Sequence, residues 1–130
     1  MNTIINDWAG IIITYSYNNS IYLNTIINCM YGIIIQNDDN HSFFNTNSKI
    51  DRINNVIKNN FLKVLFPARV LFGSIKSNSN SYWEGNYWGR PRILPRVIFG
   101  FFKISSILRC WGIPTKYQLD WYPAIKPHII

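Results

Sequence analysis

The first 48 residues contain neither lysine nor arginine. Their only charged side chains are Asp7, Asp38 and Asp39, so this stretch carries −3 and cannot track a chain of phosphates by charge. Cysteine is almost absent. Cys29 and Cys110 stand far apart with no C-x-x-C spacing, which leaves two buried thiols as the plain reading and no zinc framework. There are two histidines: His41 lies in a polar loop and His128 near the end, neither with a carboxylate or cysteine at motif spacing. Gly85-Asn86-Tyr87-Trp88-Gly89 lacks the preceding strand and the following Lys-Ser/Thr of a phosphate loop. These gaps argue against an enzyme, a metal, a cofactor or a small-molecule substrate. Residues 8–37 hold no charge, but Ser16, Asn18, Asn19, Ser20, Asn24 and Asn28 interrupt them. A lipid-crossing helix needs roughly 20 mostly apolar residues, so no membrane span is expected there.

All thirteen cations fall after residue 48. Set against Asp51, Glu84 and Asp120, they give that part +10, and the whole chain +7. So basic a segment repels itself unless a polyanion lies beside it. Isoleucine and asparagine dominate the composition. No demand of a compact fold accounts for so much asparagine, and codon bias in an AT-rich genome, such as an organellar one, is the reading adopted. The N-terminus has no basic presequence or cleavage site, so synthesis inside a mitochondrion is expected.

Along the chain, Ile11–Tyr17 and Ile21–Ile27 read as a hairpin around Asn18-Asn19, with a third extended run at Tyr31–Ile35. Residues 36–48 are polar and divide the chain into an Ile/Asn-rich extension, 1–48, and a basic region, 49–130. Ile50, Ile53, Ile57, Phe61 and Val64 recur at helical spacing, with Ser48 or Asn47 as cap and Pro67 as stop. Ala68 to about Ile75 and Phe101–Trp111 read as two shorter helices. Ser77-Asn78-Ser79-Asn80-Ser81 reads as a linker. The expected fold is therefore α-rich with irregular extended segments and an added N-terminal β-hairpin-like element, without a zinc ribbon.

The densest chemistry is Tyr82–Arg96. Arg90, Arg92 and Arg96 lie on backbone stiffened by Pro91 and Pro95, and guanidinium groups fork onto phosphate oxygens. Trp83, Tyr87 and Trp88 offer flat faces to unpaired bases, at roughly 1–3 kcal/mol per stack. They could equally form a small core.

Residues 68–121 resemble the C-terminal half of the universal small-subunit ribosomal protein family number fourteen. The resemblance rests on Ala68-Arg69-Val70-Leu71, the Ser/Asn linker, Gly89-Arg90-Pro91-Arg92, Phe99-Gly100 with Lys103-Ile104, Gly112-Ile113-Pro114 near Arg109, and Trp121. It implies a structural, non-catalytic part of a mitochondrial ribosome in the matrix, bound to small-subunit rRNA and to neighbouring head proteins. The phosphate contacts would be Arg69, Lys76, Arg90, Arg92, Arg96, Lys103, Arg109 and Lys116. Zinc-holding members carry cysteines at positions corresponding here to Gly85, Trp88, Phe102 and Ser105, so a metal-free type is implied. The alternative is a peripheral or single-span membrane subunit of a respiratory complex, its aromatics forming an interfacial belt.

Overall fold

The computed structural model describes residues 1–37, 53–72, 80–103 and 112–129. All regular structure among them is strand, and none is helix. The strands run β1 Thr3–Ile5, β2 Ala9–Thr14, β3 Ser20–Tyr22, β4 Thr25–Ile27, β5 Tyr31–Asn37, β6 Ile53–Ile57, β7 Asn60–Leu62, β8 Phe66–Phe72, β9 Asn80–Glu84, β10 Arg96–Lys103 and β11 Gly112–Asp120.

The pairing rule is one turn apart, not one strand apart. β1, β4 and β7 stack in parallel, as do β2, β5 and β8, and again β3, β6 and β9. The chain thus coils three times through three faces, the architecture of a parallel β-helix. β10 continues the second face on β8, in parallel. β11 runs antiparallel to β10 and reaches β9 through Asp120 and Trp83. The pair joins the second and third faces into one curled sheet of order β2-β5-β8-β10-β11-β9-β6-β3, and β1-β4-β7 remain a separate three-stranded sheet.

Strand alternation sends every second side chain inward, and stacking turns those positions into columns. Ile4, Ile26 and Phe61 line the first face. Ile13, Ile35 and Val70 line the second. Ile21, Val56 and Trp83 line the third. All but the partly buried Ile4 belong to the buried core.

Two of the three corners recur from turn to turn; at the third, between β2 and β3, Tyr15 and Asn18 have positive φ. Leu23, Lys58 and Gly85 have φ of 51°, 53° and 64°, and each is followed by a buried asparagine. Asn6, Asn28, Lys63 and Gly89 hold the other corner at φ between 51° and 79°. Left-handed backbone strains most L-residues, and Gly and Asn least.

The asparagines after the first corner form a ladder through the interior. Asn2 Nδ2 donates to Asn24 Oδ1, Asn24 Nδ2 to Asn59 Oδ1, Asn59 Nδ2 to Asn86 Oδ1, and Asn86 Nδ2 to Asp120 Oδ2, at 3.1–3.2 Å. The backbone N–H groups of Asn24 and Asn59 bind the same side-chain oxygens as the amides beside them. Asp120 terminates the ladder. It is fully buried and accepts from Gly85 N, Asn86 N, Asn86 Nδ2 and Trp88 Nε1 at 3.0–3.1 Å. A second, shorter ladder joins Asn19 to the buried Asn54 at 3.0 Å. The abundance of asparagine therefore has a physical use in this fold, whatever its genetic origin.

The α-rich expectation is overturned. Ile53, Ile57 and Phe61 mimic a helical stripe because two strands, β6 and β7, meet at the Lys58–Asn59 corner. Val56 and Phe61 point into the core there, and Asn54 and Asn59 are buried as ladder groups. The expected helix from Ala68 is β8 as far as Phe72, and the one from Phe101 is the end of β10; their remaining residues lie outside the described ones. The hairpin is replaced as well. The chain is extended there, but β2 pairs in parallel with β5 while β3 lies on another face. Of the polar divide at residues 36–48, Gln36 and Asn37 are the end of β5, and the rest lies outside the described residues. Pairing of β5 with β8 and of β3 with β6 joins chain on its two sides.

Candidate nucleic-acid interface

After the third turn, Gly89–Pro95 forms an irregular strap that leads into β10. Pro91 and Pro95 fix φ along it, and Gly89 supplies the left-handed corner at its start. Arg90 is exposed, and Arg92 and Arg96 are half-buried. The Nε of Arg92 is buried without a hydrogen-bond partner. The Arg96 guanidinium lies 5.8 Å from the centre of the Trp88 ring. Its pKa is pushed below the usual arginine value, by burial first and then by the charges of Arg92 and Arg90. Arg96 faces Asp120 across the strand pair, but four N–H donors already occupy that carboxylate. Three like charges thus converge on this corner.

Arg69 has a different setting. It is 9% exposed, donates from Nη1 to the Tyr31 hydroxyl at 3.3 Å, and sits 5.6 Å from the Tyr31 ring and 5.3 Å from that of Phe101. Contacts of this kind hold a guanidinium flat against aromatic faces. Lys103 and Lys116 belong to β10 and β11. Lys76 and Arg109 lie outside the described residues.

The three aromatics expected to stack on bases face inward. Trp83, Tyr87 and Trp88 are 1%, 8% and 6% exposed, and Phe61 stacks on Trp88 at 4.8 Å. Trp83 fills an interior column, and Trp88 caps Asp120 through its indole N–H. Their faces serve the core.

Other aromatics, which the sequence pattern did not single out, are open. β8 and β10 pair only from Val70 and Gly100 onward. Before that they diverge, and the wedge between Phe66–Arg69 and Arg96–Phe99 is a cavity of about 600 Å³. Trp88 and Ile98 lie at its floor, while Trp8, Phe66 and Phe99 are about half exposed at its rim. Trp8 meets the buried Tyr31 edge-on at 5.1 Å, and Tyr31 stacks on Phe66 at 5.3 Å. Alternation on β8 and β10 could have flagged Phe66 and Phe99, had those runs been read as strands.

Catalytic chemistry finds no constellation among the described residues, and no group of His, Cys, Asp or Glu there could hold a metal ion. Cys29 is buried, its thiol 3.4 Å from the Ile27 carbonyl. His128 ties the C-terminal segment across the coil: its N–H donates to Asn60 Oδ1 at 2.8 Å and its Nε2 lies 2.6 Å from Gly85 O. His41, Cys110 and Ser105 lie outside the described residues. Among the described residues no helix is long and apolar enough to cross a membrane, which says nothing of strands. No protein-family model, curated protein or solved structure matches this chain.

Proposed function

We propose that the chain is a non-catalytic binding module for a flexible polyanion, and that this polyanion is single-stranded RNA. The observation that carries the reading is the grouping of Arg90, Arg92 and Arg96 along one strap, where Asp120, which faces Arg96, is already occupied by four N–H donors. Solvated arginines on a surface strap need not converge, and convergence opposes folding unless an anion is bound between them. The overall charge of +7 and the open aromatic rim fit RNA, whose bases stack and whose phosphates attract.

The narrower assignment is a structural role in the mitochondrial small ribosomal subunit, beside head proteins. It rests on the order of sequence motifs, above all Gly89-Arg90-Pro91-Arg92. The α-rich fold which that family implies is absent from the described residues, so the motif order stands without support from the fold. Its test is co-sedimentation: the tagged chain should run with small subunits in a gradient at low salt. Migration at the top of the gradient removes the ribosomal assignment.

The RNA reading has its own test. Anisotropy with a labelled single-stranded oligoribonucleotide should show affinity falling linearly on log–log axes with salt. Competition by a polyuronate of equal charge that matched unlabelled RNA would reduce the reading to charge alone. Absence of RNA binding at low salt would end it.

A further inference from the structure

We infer that the wedge between β8 and β10 is a pocket for one unpaired nucleobase of a bound RNA strand, with the adjoining phosphate at Arg96. The inference rests on the RNA reading above and names the part of the ligand taken by one site.

Four observations lead there. The wedge arises from the fold itself: β8 is held by β5 on one side and β10 by β11 on the other, while their mutual pairing begins only at Val70 and Gly100. Its volume, about 600 Å³, falls in the ~300–1,000 Å³ range of small-ligand sites. Its walls are flat and apolar, with Phe66 and Phe99 both partly exposed, so a planar ring can be held by stacking. Among the described residues, its charged lining groups are Arg69 and Arg96. An apolar lipid tail has no use for two guanidiniums, and a simple anion none for aromatic walls. A nucleotide presents both a stacking face and a negative charge on one rigid unit. Arg90 and Arg92 precede Arg96 on the same strap, Arg90 exposed and Arg92 half-buried, and would meet the neighbouring phosphates.

The test uses the full chain and two oligoribonucleotides of one length, one intact and one abasic at every position. The wild-type chain should bind the intact strand about tenfold more tightly than the abasic one. Phe99→Ala, at an exposed site, should remove most of that preference while leaving the salt slope unchanged. Val97→Trp, which fills the wedge from its 40%-exposed rim, should do the same. A 4-thiouridine strand should cross-link to residues 66–69 or 96–101. Equal binding of the two strands by the wild-type chain, with a steep salt slope, overturns the pocket and leaves the RNA reading standing. Loss of all binding to both strands at low salt overturns the two together. A free nucleoside monophosphate bound as tightly as the intact strand overturns the assignment to an RNA chain.

Discussion

In the three-turn coil, Asn24, Asn59 and Asn86 are buried, and each has its carboxamide nitrogen and oxygen engaged. Beyond Trp88, Arg92 keeps a buried Nε without a partner, and Arg96 loses part of its preference for the charged form. The two regions treat polar atoms in opposite ways. Interior amides close on one another rung by rung, so the ladder needs nothing from outside. The strap gathers like charges and leaves them open. A buried donor without an acceptor costs about 1–3 kcal/mol, which the asparagine ladder avoids and the strap retains; elsewhere in the coil, Ser81 Oγ on β9 is also buried without a partner. That difference separates the part that closes the fold from the part proposed to bind RNA.

The sharpest way to break the comparison is at Asp120, where the ladder ends. Asp120→Ala strips one acceptor from four N–H groups, all on residues at least partly buried. The expected loss is about 3–5 kcal/mol, read as a lower denaturant midpoint. A loss below about 1 kcal/mol would mean that water reaches those donors, and the interior ladder would not be the closed system described. Next comes Asn59→Ala, in the middle of the ladder. It removes the acceptor of the Asn24 amide and backbone N–H, and the donor to Ile21 O and Ile57 O. The expected cost is about 2–4 kcal/mol.

Half of this was legible in the residues. Asn2-Thr3-Ile4-Ile5-Asn6 recurs as Asn24-Thr25-Ile26-Ile27-Asn28, and Gly10-Ile11-Ile12-Ile13 as Gly32-Ile33-Ile34-Ile35. A repeat at fixed spacing is the signature of a solenoid. The next turns hide it, because the ladder interval changes from 22 residues to 35 and then to 27. Without the repeat, β6 and β7 read as a helix, since a strand–corner–strand path can also place apolar groups three and four apart. The buried asparagines misled further, because nothing local distinguishes a ladder amide from a loop amide. The candidate site was legible in part. The density of Arg90, Arg92 and Arg96 on Pro-stiffened chain pointed to their grouping, since it depends on local backbone. The roles of the aromatics were not, because facing in or out depends on which strands stack. Trp83 and Trp88 went to the core, and Phe66 and Phe99 to the rim.

A smaller effect tests how tightly the turns nest. At Gly32 an added Cβ would sit 2.3 Å from Pro67 O and 2.7 Å from Phe61 Cδ1. Gly32→Ala must push β5 from β8, and overpacking of this kind costs about 1–3 kcal/mol. An unchanged melting temperature would show that the rungs are spaced more loosely than the parallel register implies.

The smallest change in stability is expected at the strap, and it is there that the contrast becomes functional. Arg90→Ala with Arg92→Ala touches neither ladder nor interior column. Stability should not fall, because the variant removes the unpartnered Nε of Arg92 and eases the repulsion on Arg96. Binding should respond where folding does not. Each lost phosphate contact lowers the log–log salt slope by about one unit. The pair of measurements separates the regions, because a residue that only fills space moves the denaturant midpoint and leaves the slope alone. If the double variant unfolded early while its slope stayed put, the strap would be part of the scaffold, and the division between a closed coil and an open basic corner would fail.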